Sequence, residues 1–432
     1  MFIAAITPPP YAPNITTISH VLDPIITSVL KYNSAPGQSV STFKHPDGVS
    51  VMVKAVPLIA DLEGNNKVSG FLSHAADMYC SFCLSHHHDM EDLNLHLWTL
   101  RNGTMVKNQA EAWRNLPTKK AQEENARETG VRWTSMHRLP YWDPVDHTIL
   151  GTLYNWEEGI LQNHLRVLWG IGRDDNTEQK LKDIDFEEHW TDTDVSESAS
   201  ELEELRQEAA EHSAEMAHAM AQMLPPDPSS PSPVDHPSSP STPTQGMFLP
   251  DSDTQDLDLL DPDFIPQHIP SDDPPFSFSD DQLHAIQECI SNITLPTWVQ
   301  RPPGNLGEPS HGKLRAHEYL TLFICIFPLI IPEFWHGANI SDVNYDQLQC
   351  FHHLVSATNI ISSFTTSFVK ADQYTQHYIH YRQLIQRLFP QFSSKPNHHY
   401  AMHNGALMKW WGPMPSSSEY FGERVNGMLQ SV

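Results

Sequence analysis

The stretch from Val49 to Cys83, VSVMVKAVPLIADLEGNNKVSGFLSHAADMYCSFC, constrains the fold more than any other part of the chain. Val49, Val51, Val53, Val56, Leu58 and Ile59 form an apolar, β-branched run that predicts a buried strand. The run ends at Asp61, which places a carboxylate at a strand C-terminus. Such a group can hold a hard divalent cation in a nuclease-like α/β fold, because these ions take oxygen ligands, or it can cap the next helix or turn. Two-metal phosphoryl transfer needs several carboxylates converging on the ions, since one neither fixes their geometry nor offsets the phosphate charge.

Cys80-x-x-Cys83 has the spacing of two thiolates on one tetrahedral metal, and His86-His87-His88 follows at once. Cys80, Cys83, His86 and His88 are therefore the expected ligand set of a structural zinc. Cys83-x-x-His86 is tight, so a ligand from further along (His96, His137 or His147) is an alternative. Two buried thiols beside a surface histidine run is the other reading. Near the far end, among His398, His399 and His403, two imidazoles stand at i, i+4 on one helical face. No acid follows them in the HExxH manner, so a zinc hydrolase is not expected; packed histidines behind Asn397 as N-cap are the simpler reading.

The 432 residues suffice for two ordinary domains and a linker. Their net charge of −27 is unevenly spread. Residues 176–282 hold 3 Lys+Arg against 26 Asp+Glu, whereas residues 1–175 hold 14 against 18 and residues 283–432 hold 9 of each. The middle segment, with its Pro/Ser-rich run from Pro225 to Pro243, is expected to be a disordered acidic linker. Within it, residues 198–223 have the 3-4 spacing of a solvated acidic helix. Neither flank is basic, which argues against tight non-specific DNA binding. Five cysteines without regular spacing beyond the CxxC suggest a reducing compartment. The N-terminus lacks a basic n-region, and the apolar run Leu320–Ile331 is about half a membrane span, so a soluble intracellular protein without a membrane partner is expected.

Flanking that segment, residues 1–48 are turn-rich, with a short helix expected over Val21–Lys31. Further helices are expected over Asn108–Leu116, Lys119–Glu128 (Thr118 as N-cap) and Glu157–Trp169, with strand-like residues over Leu139–Leu150. Residues 283–432 read as a separate helical unit, with helices over Lys313–Trp335, Asp346–Val369, Gln373–Phe389 and His398–Trp411. Lys313 and Arg315, with Arg301, Arg382, Arg387 and Lys409, could make a basic face for phosphates or simply coat solvated helices. Glu423-Arg424 beside Asn426-Gly427 reads as an ion pair and turn. Trp410, Trp411, Tyr420 and Phe421 fit a core better than a base-stacking platform.

Several segments, taken in order, carry a family resemblance. They are Pro57-Leu58-Ile59-Ala60-Asp61, Gly70-Phe71, Cys80-Ser81-Phe82-Cys83, Gly130-Val131-Arg132-Trp133 and Leu139-Pro140-Tyr141-Trp142-Asp143-Pro144, then Gly312-Lys313-Leu314-Arg315-Ala316, Pro396-Asn397-His398-His399 and Glu423 to Gln430. Together they resemble the CACTA-type transposases of mushroom-forming fungi. The resemblance implies a ribonuclease-H-like core that cuts and joins DNA with Mg²⁺ or Mn²⁺ held by acids, a nuclear location, and DNA contacts for which Lys313, Arg315 and Arg424 are the candidates. It also marks departures. The family's first catalytic carboxylate lies in a longer upstream region, and nothing before Asp61 reads as a strand ending in an acid. Aligned on Tyr141-Trp142-Asp143-Pro144, the family's Asp-Pro-Met-His falls on Gly151-Thr152-Leu153-Tyr154. Asp61 is thus expected to be a catalytic remnant in a truncated, degenerate copy. The expected architecture is α/β plus α: a turn-rich segment (1–48), an incomplete ribonuclease-H-like core (49–175), the disordered acidic linker (176–282) and a helical domain (283–432). Two further functions are open: an interaction protein that has lost DNA contact, and a transposase completed in trans by a full-length relative.

Overall fold

The computed structural model describes residues 17–172, 276–336, 342–420 and 422–424. Helices dominate these residues and strands are few. After α1 (Thr17–Asn33), β1 (Gln38–Thr42) and β2 (His45–Val51) form an antiparallel hairpin. The apolar run from Val49 is therefore not one buried strand. Val49 belongs to the hairpin, and Val53 and Val56 are exposed in the connection that follows. Pro57, which has no N–H for a ladder, closes that connection. Next, β3 (Leu58–Ala60) pairs in parallel with the buried β4 (Thr148–Leu150), but it is itself only half-buried and its Ile59 is exposed. The two hairpin strands and this parallel pair are the named sheets among the described residues.

Behind β3 lies α2 (Leu62–Ser69), whose buried Asn65 fastens both strands: its Nδ2 donates to Ala60 O and Ile149 O, each at 2.8 Å. Then α3 (Gly103–Arg114) and α4 (Lys119–Thr129) follow, capped by the side chains of Asn102 and, as expected, Thr118. After β4, α5 (Leu153–Leu161) and a second turn (His164–Leu168) wind with the wide π-type pitch and carry Trp156, Ile160, Leu161, Leu165 and Leu168 into the core.

The helices beyond the central segment close onto this same core. They are α6 (Asp280–Asn292), the continuous helix α7 (Ala316–Trp335), α8 (Asp342–Ile361), α9 (Phe368–Leu388), α10 (Pro396–Met402) and α11 (Asn404–Trp411). Trp169 is ringed by Phe278, Phe323, Phe327, Trp335 and Phe351, and Trp156 packs on Tyr374 and Tyr378 while its Nε1 donates to Thr358. The described residues on either side of the central segment consequently form one compact unit, so the stretches 49–175 and 283–432 are not separate domains. Helical periodicity identifies a buried face but not its partner, and here the partner is more than a hundred residues away. The linker boundary also moves: Phe276, Phe278 and the Ser279-capped start of α6 are structured, while the acidic helix expected over 198–223 lies outside the described residues. By length and composition α7 could cross a membrane, but Tyr319, Leu322, Phe323, Ile326, Phe327, Ile331 and Trp335 are buried in the protein core.

Candidate metal centre

The largest rearrangement relative to expectation concerns the CxxC. Cys80 and Cys83 do not face His86 and His88. They face His399 and His403, which come from the turn of α10 and its junction with α11, and all four residues are buried. Cys83 Sγ lies 3.1 Å from His399 Nε2, Cys80 Sγ lies 3.5 Å from His403 Nε2, and the two Nε2 atoms are 3.4 Å apart. Four donor atoms lie within 4.8 Å of one another. Zn–S bonds of about 2.3 Å and Zn–N bonds of about 2.05 Å arranged tetrahedrally require edges of about 3.5 Å between S and N and about 3.4 Å between two N. The cluster has the composition and the spacing of a structural zinc site.

Local sequence explains how the donors meet. The buried guanidinium of Arg101 donates from Nε to Cys80 O at 2.9 Å and Cys83 O at 3.1 Å, and from Nη1 to Thr129 O at 2.8 Å, so it cradles the CxxC turn from behind. Phe82 N–H points to Cys80 Sγ at 3.3 Å, stabilising negative charge on that sulfur. Gly130, at φ 73°, is needed because a Cβ there would lie 2.6 Å from Arg101 Nη2 and 2.8 Å from Met78 O. On the other side Trp98 stacks on His399 at 4.4 Å, Tyr79 meets the same ring edge-on, and Phe82 lies against His403. Tyr400 locks the halves by donating to Tyr79 O at 2.7 Å and accepting from Ser81 N–H.

Charge follows from this packing. The hydrogen bond from Cys80 holds the Cys83 thiol far below its ordinary range, against burial and helped by His399 and His403. Burial pushes the Cys80 thiol well up, and burial pushes the His399 imidazole down against the opposing pull of Cys83. A dication in the centre would ionise both thiols and balance their charge in this dry interior.

The remaining candidate ligands are elsewhere. His86 Nδ1 is 2.7 Å from Asp77 Oδ2 and His88 Nε2 is 3.3 Å from Asp89 Oδ1, in an exposed group. His96 is exposed, His137 turns its Nδ1 to Thr134, and His147 Nδ1 accepts from Asp143 N–H. The Cys83-x-x-His86 spacing is too short for His86 to return to the sulfurs once it pairs with Asp77. His399-x-x-x-His403 carries the H-x₃-H spacing of a Cys₂His₂ site. That signal was present in the sequence, but the 316-residue separation of Cys83 and His399 hid the pairing. Asn397 is not the cap: Lys395 occupies that position ahead of Pro396, and Asn397 Nδ2 donates to Tyr154 O at 3.2 Å.

Asp61 sits at the C-terminal end of β3 as expected, and its Oδ1 accepts from Gly64 N–H at 2.6 Å, capping α2. It lines a cavity of about 220 Å³ with Glu63, His74, Tyr154, Asn155 and Asn397. Asp143 and Asp146 precede β4 and so lie at the opposite end of the parallel pair; Asp143 Oδ1 accepts from the Val145 and Asp146 N–H groups. On the Asp61 side, the Glu419 carboxyl occupies the space that a side chain on Gly151 would fill, and accepts from Leu153 N–H. Burial pushes Glu419 up to about 7 and does the same to Glu157, which accepts a hydrogen bond from Tyr420. Tyr154 hydrogen-bonds Glu423. Among the described residues, no three carboxylates that include Asp61 bring their oxygens within 4.8 Å of one another.

Most of the imagined basic face is already engaged. Arg382 is fully buried and reaches Glu91, Ser394 and Met90 O; Arg387 pairs with Asp346, Lys409 with Asp372, and Arg301 donates to the carbonyls closing α6. Lys313, Arg315 and Arg424 are exposed. Trp410 is exposed too, whereas Trp411 donates to Asp146 O. No protein-family model, curated protein or solved structure matches the chain.

Proposed function

We propose that this chain is a derivative of the CACTA-type transposases that has lost strand-transfer chemistry, keeps weak DNA affinity, and is held together by zinc at Cys80, Cys83, His399 and His403. The observation that carries the loss of chemistry is Gly151. In the family an acid stands at the end of this strand; here there is no side chain, and a carboxyl from Glu419 fills the space in a setting that favours its neutral form. A carboxyl that burial makes harder to ionise offsets a divalent cation less well, and one oxygen of Asp61 already accepts the hydrogen bond that caps α2. The parallel β3–β4 pair ending in Asp61 and Gly151 supports a reduced ribonuclease-H-like core as the origin of the fold.

Supercoiled plasmid incubated with the purified chain and Mg²⁺ or Mn²⁺ should remain intact. Nicking that Asp61→Ala abolishes would refute the loss of activity and revive the enzyme, alone or completed in trans by a full-length relative. For DNA affinity the candidates are the exposed Lys313, Arg315 and Arg424. Binding to duplex DNA should weaken steeply with salt, and replacing two of these cations should lower the slope of log K against log salt by roughly 2. The pairing of Arg382, Arg387 and Lys409 with acids favours a second function, protein interaction without DNA, which salt-independent or absent DNA binding would support.

A further inference from the structure

A second set of imidazoles lies on the outer face of the α8–α9 hairpin. His352 and His353 come from α8, His377 and His380 from α9, and all are exposed or half-buried. His353 Nδ1 and His377 Nδ1 are 2.9 Å apart. The His352 ring centroid lies 5.3 Å from His353 and 5.9 Å from His377, and His380 lies 4.9 Å from His353. One nitrogen from each of His352, His353 and His377 falls within 4.8 Å of the other two. None of these residues takes part in the Cys₂His₂ cluster, and none belongs to the Asp61 cavity.

Helical geometry accounts for the convergence. His377 and His380 are at i, i+3 and share one face of α9. His352 and His353 are adjacent on α8, so their side chains leave about 100° apart and straddle the seam from the other side. An all-imidazole set is a poor site for Mg²⁺ or Ca²⁺, which take oxygen, and a good one for Zn²⁺, Ni²⁺ or Cu²⁺. Three ring nitrogens leave further coordination positions for solvent, and the partial exposure provides an entry path.

We infer that His352, His353 and His377, with His380 beside them, form a surface site for a borderline transition metal that clips α8 to α9, separate from the buried Cys₂His₂ cluster. Binding there joins two helices and should raise the unfolding temperature.

The test is a Ni²⁺ titration of the untagged, full-length, zinc-loaded protein, followed by calorimetry and metal analysis. The wild-type chain should take up one Ni²⁺ without releasing zinc, and its unfolding temperature should rise with Ni²⁺. The His353→Gln/His377→Gln variant and, as a milder probe, His352→Ala alone should lose or weaken that uptake at least tenfold while retaining zinc. The His86→Ala/His88→Ala variant, which removes the other exposed histidine group, should bind Ni²⁺ as the wild type does. No Ni²⁺ uptake by the wild type, uptake unchanged in both hairpin variants, or uptake lost only in His86→Ala/His88→Ala would overturn the inference.

Discussion

Glu419 and Glu157 are buried acids whose carboxyls burial raises from 4.5 to about 7. The folded chain therefore holds protons there that the unfolded chain gives up. Their contribution to stability is complete below pH 4.5 and is lost as pH rises toward 7, by on the order of 1–3 kcal/mol for each group. Glu419→Gln should remove its share of that loss. The variant should gain on the wild type between pH 5.5 and pH 8 in thermal unfolding, and parallel profiles across that window would show that Glu419 is ionised in the fold. Residue-level chemistry was only partly legible in the sequence. Asp61 at a strand end, Thr118 as a cap and the paired thiols of the CxxC all follow from local spacing. Glu419 above Gly151 does not, because the absence of a side chain at one position says nothing about which distant group will fill it.

At the scale of elements, α9 is seated by Arg382, whose guanidinium bridges Glu91 and Met90 O on one side and Ser394 on the other, while Ser394 N–H also reaches Glu91 at 2.7 Å. Glu91 is partly exposed and keeps Gln386 and the Ser394 N–H as partners, so the cost of removing Arg382 lies mainly in the packing of its own fully buried side chain. Arg382→Ala should cost about 1–3 kcal/mol in urea unfolding, and a loss below about 0.5 kcal/mol would mean that α9 docks by its tyrosines alone. The helices themselves were readable. Helix formers behind the Thr118 cap gave α4, and apolar stripes gave α7 to within three residues and α9 to within five, whereas the helix expected over Asp346–Val369 ran eight residues past the end of α8 and into α9. The strands were harder to read. An apolar, β-branched run from Val49 to Ile59 looks continuous, yet Pro57 divides an exposed hairpin from a half-buried three-residue strand laid along β4. Composition alone could not reveal that Val49 and Met52 stay exposed. The helix expected over His398–Trp411 breaks at His403, and that break turns the i, i+4 pair toward the sulfurs.

Across the whole molecule, the two flanks of the acidic segment are one body, joined by the Trp156 and Trp169 clusters and by the Cys₂His₂ cluster. Flanking sequences on either side of a polar linker look like two domains, and only tertiary pairing shows that each lacks a complete core. A structural zinc in small domains is worth apparent energies of about 10–16 kcal/mol, comparable with the whole 5–15 kcal/mol stability of a typical domain. Stripping the metal with a strong chelator should therefore unfold both flanks in one transition, seen together by tryptophan fluorescence and far-ultraviolet circular dichroism. Two separate transitions would point to two independent cores. The most direct measurement is the zinc content of the full-length protein after dialysis against a weak chelator, compared between wild type, His399→Ala/His403→Ala and His86→Ala/His88→Ala. One zinc per chain is expected in the wild type and in the His86/His88 variant and none in the His399/His403 variant, whereas zinc that disappears with His86 and His88, or that is missing from the wild type, would contradict a fold stapled through Cys80, Cys83, His399 and His403.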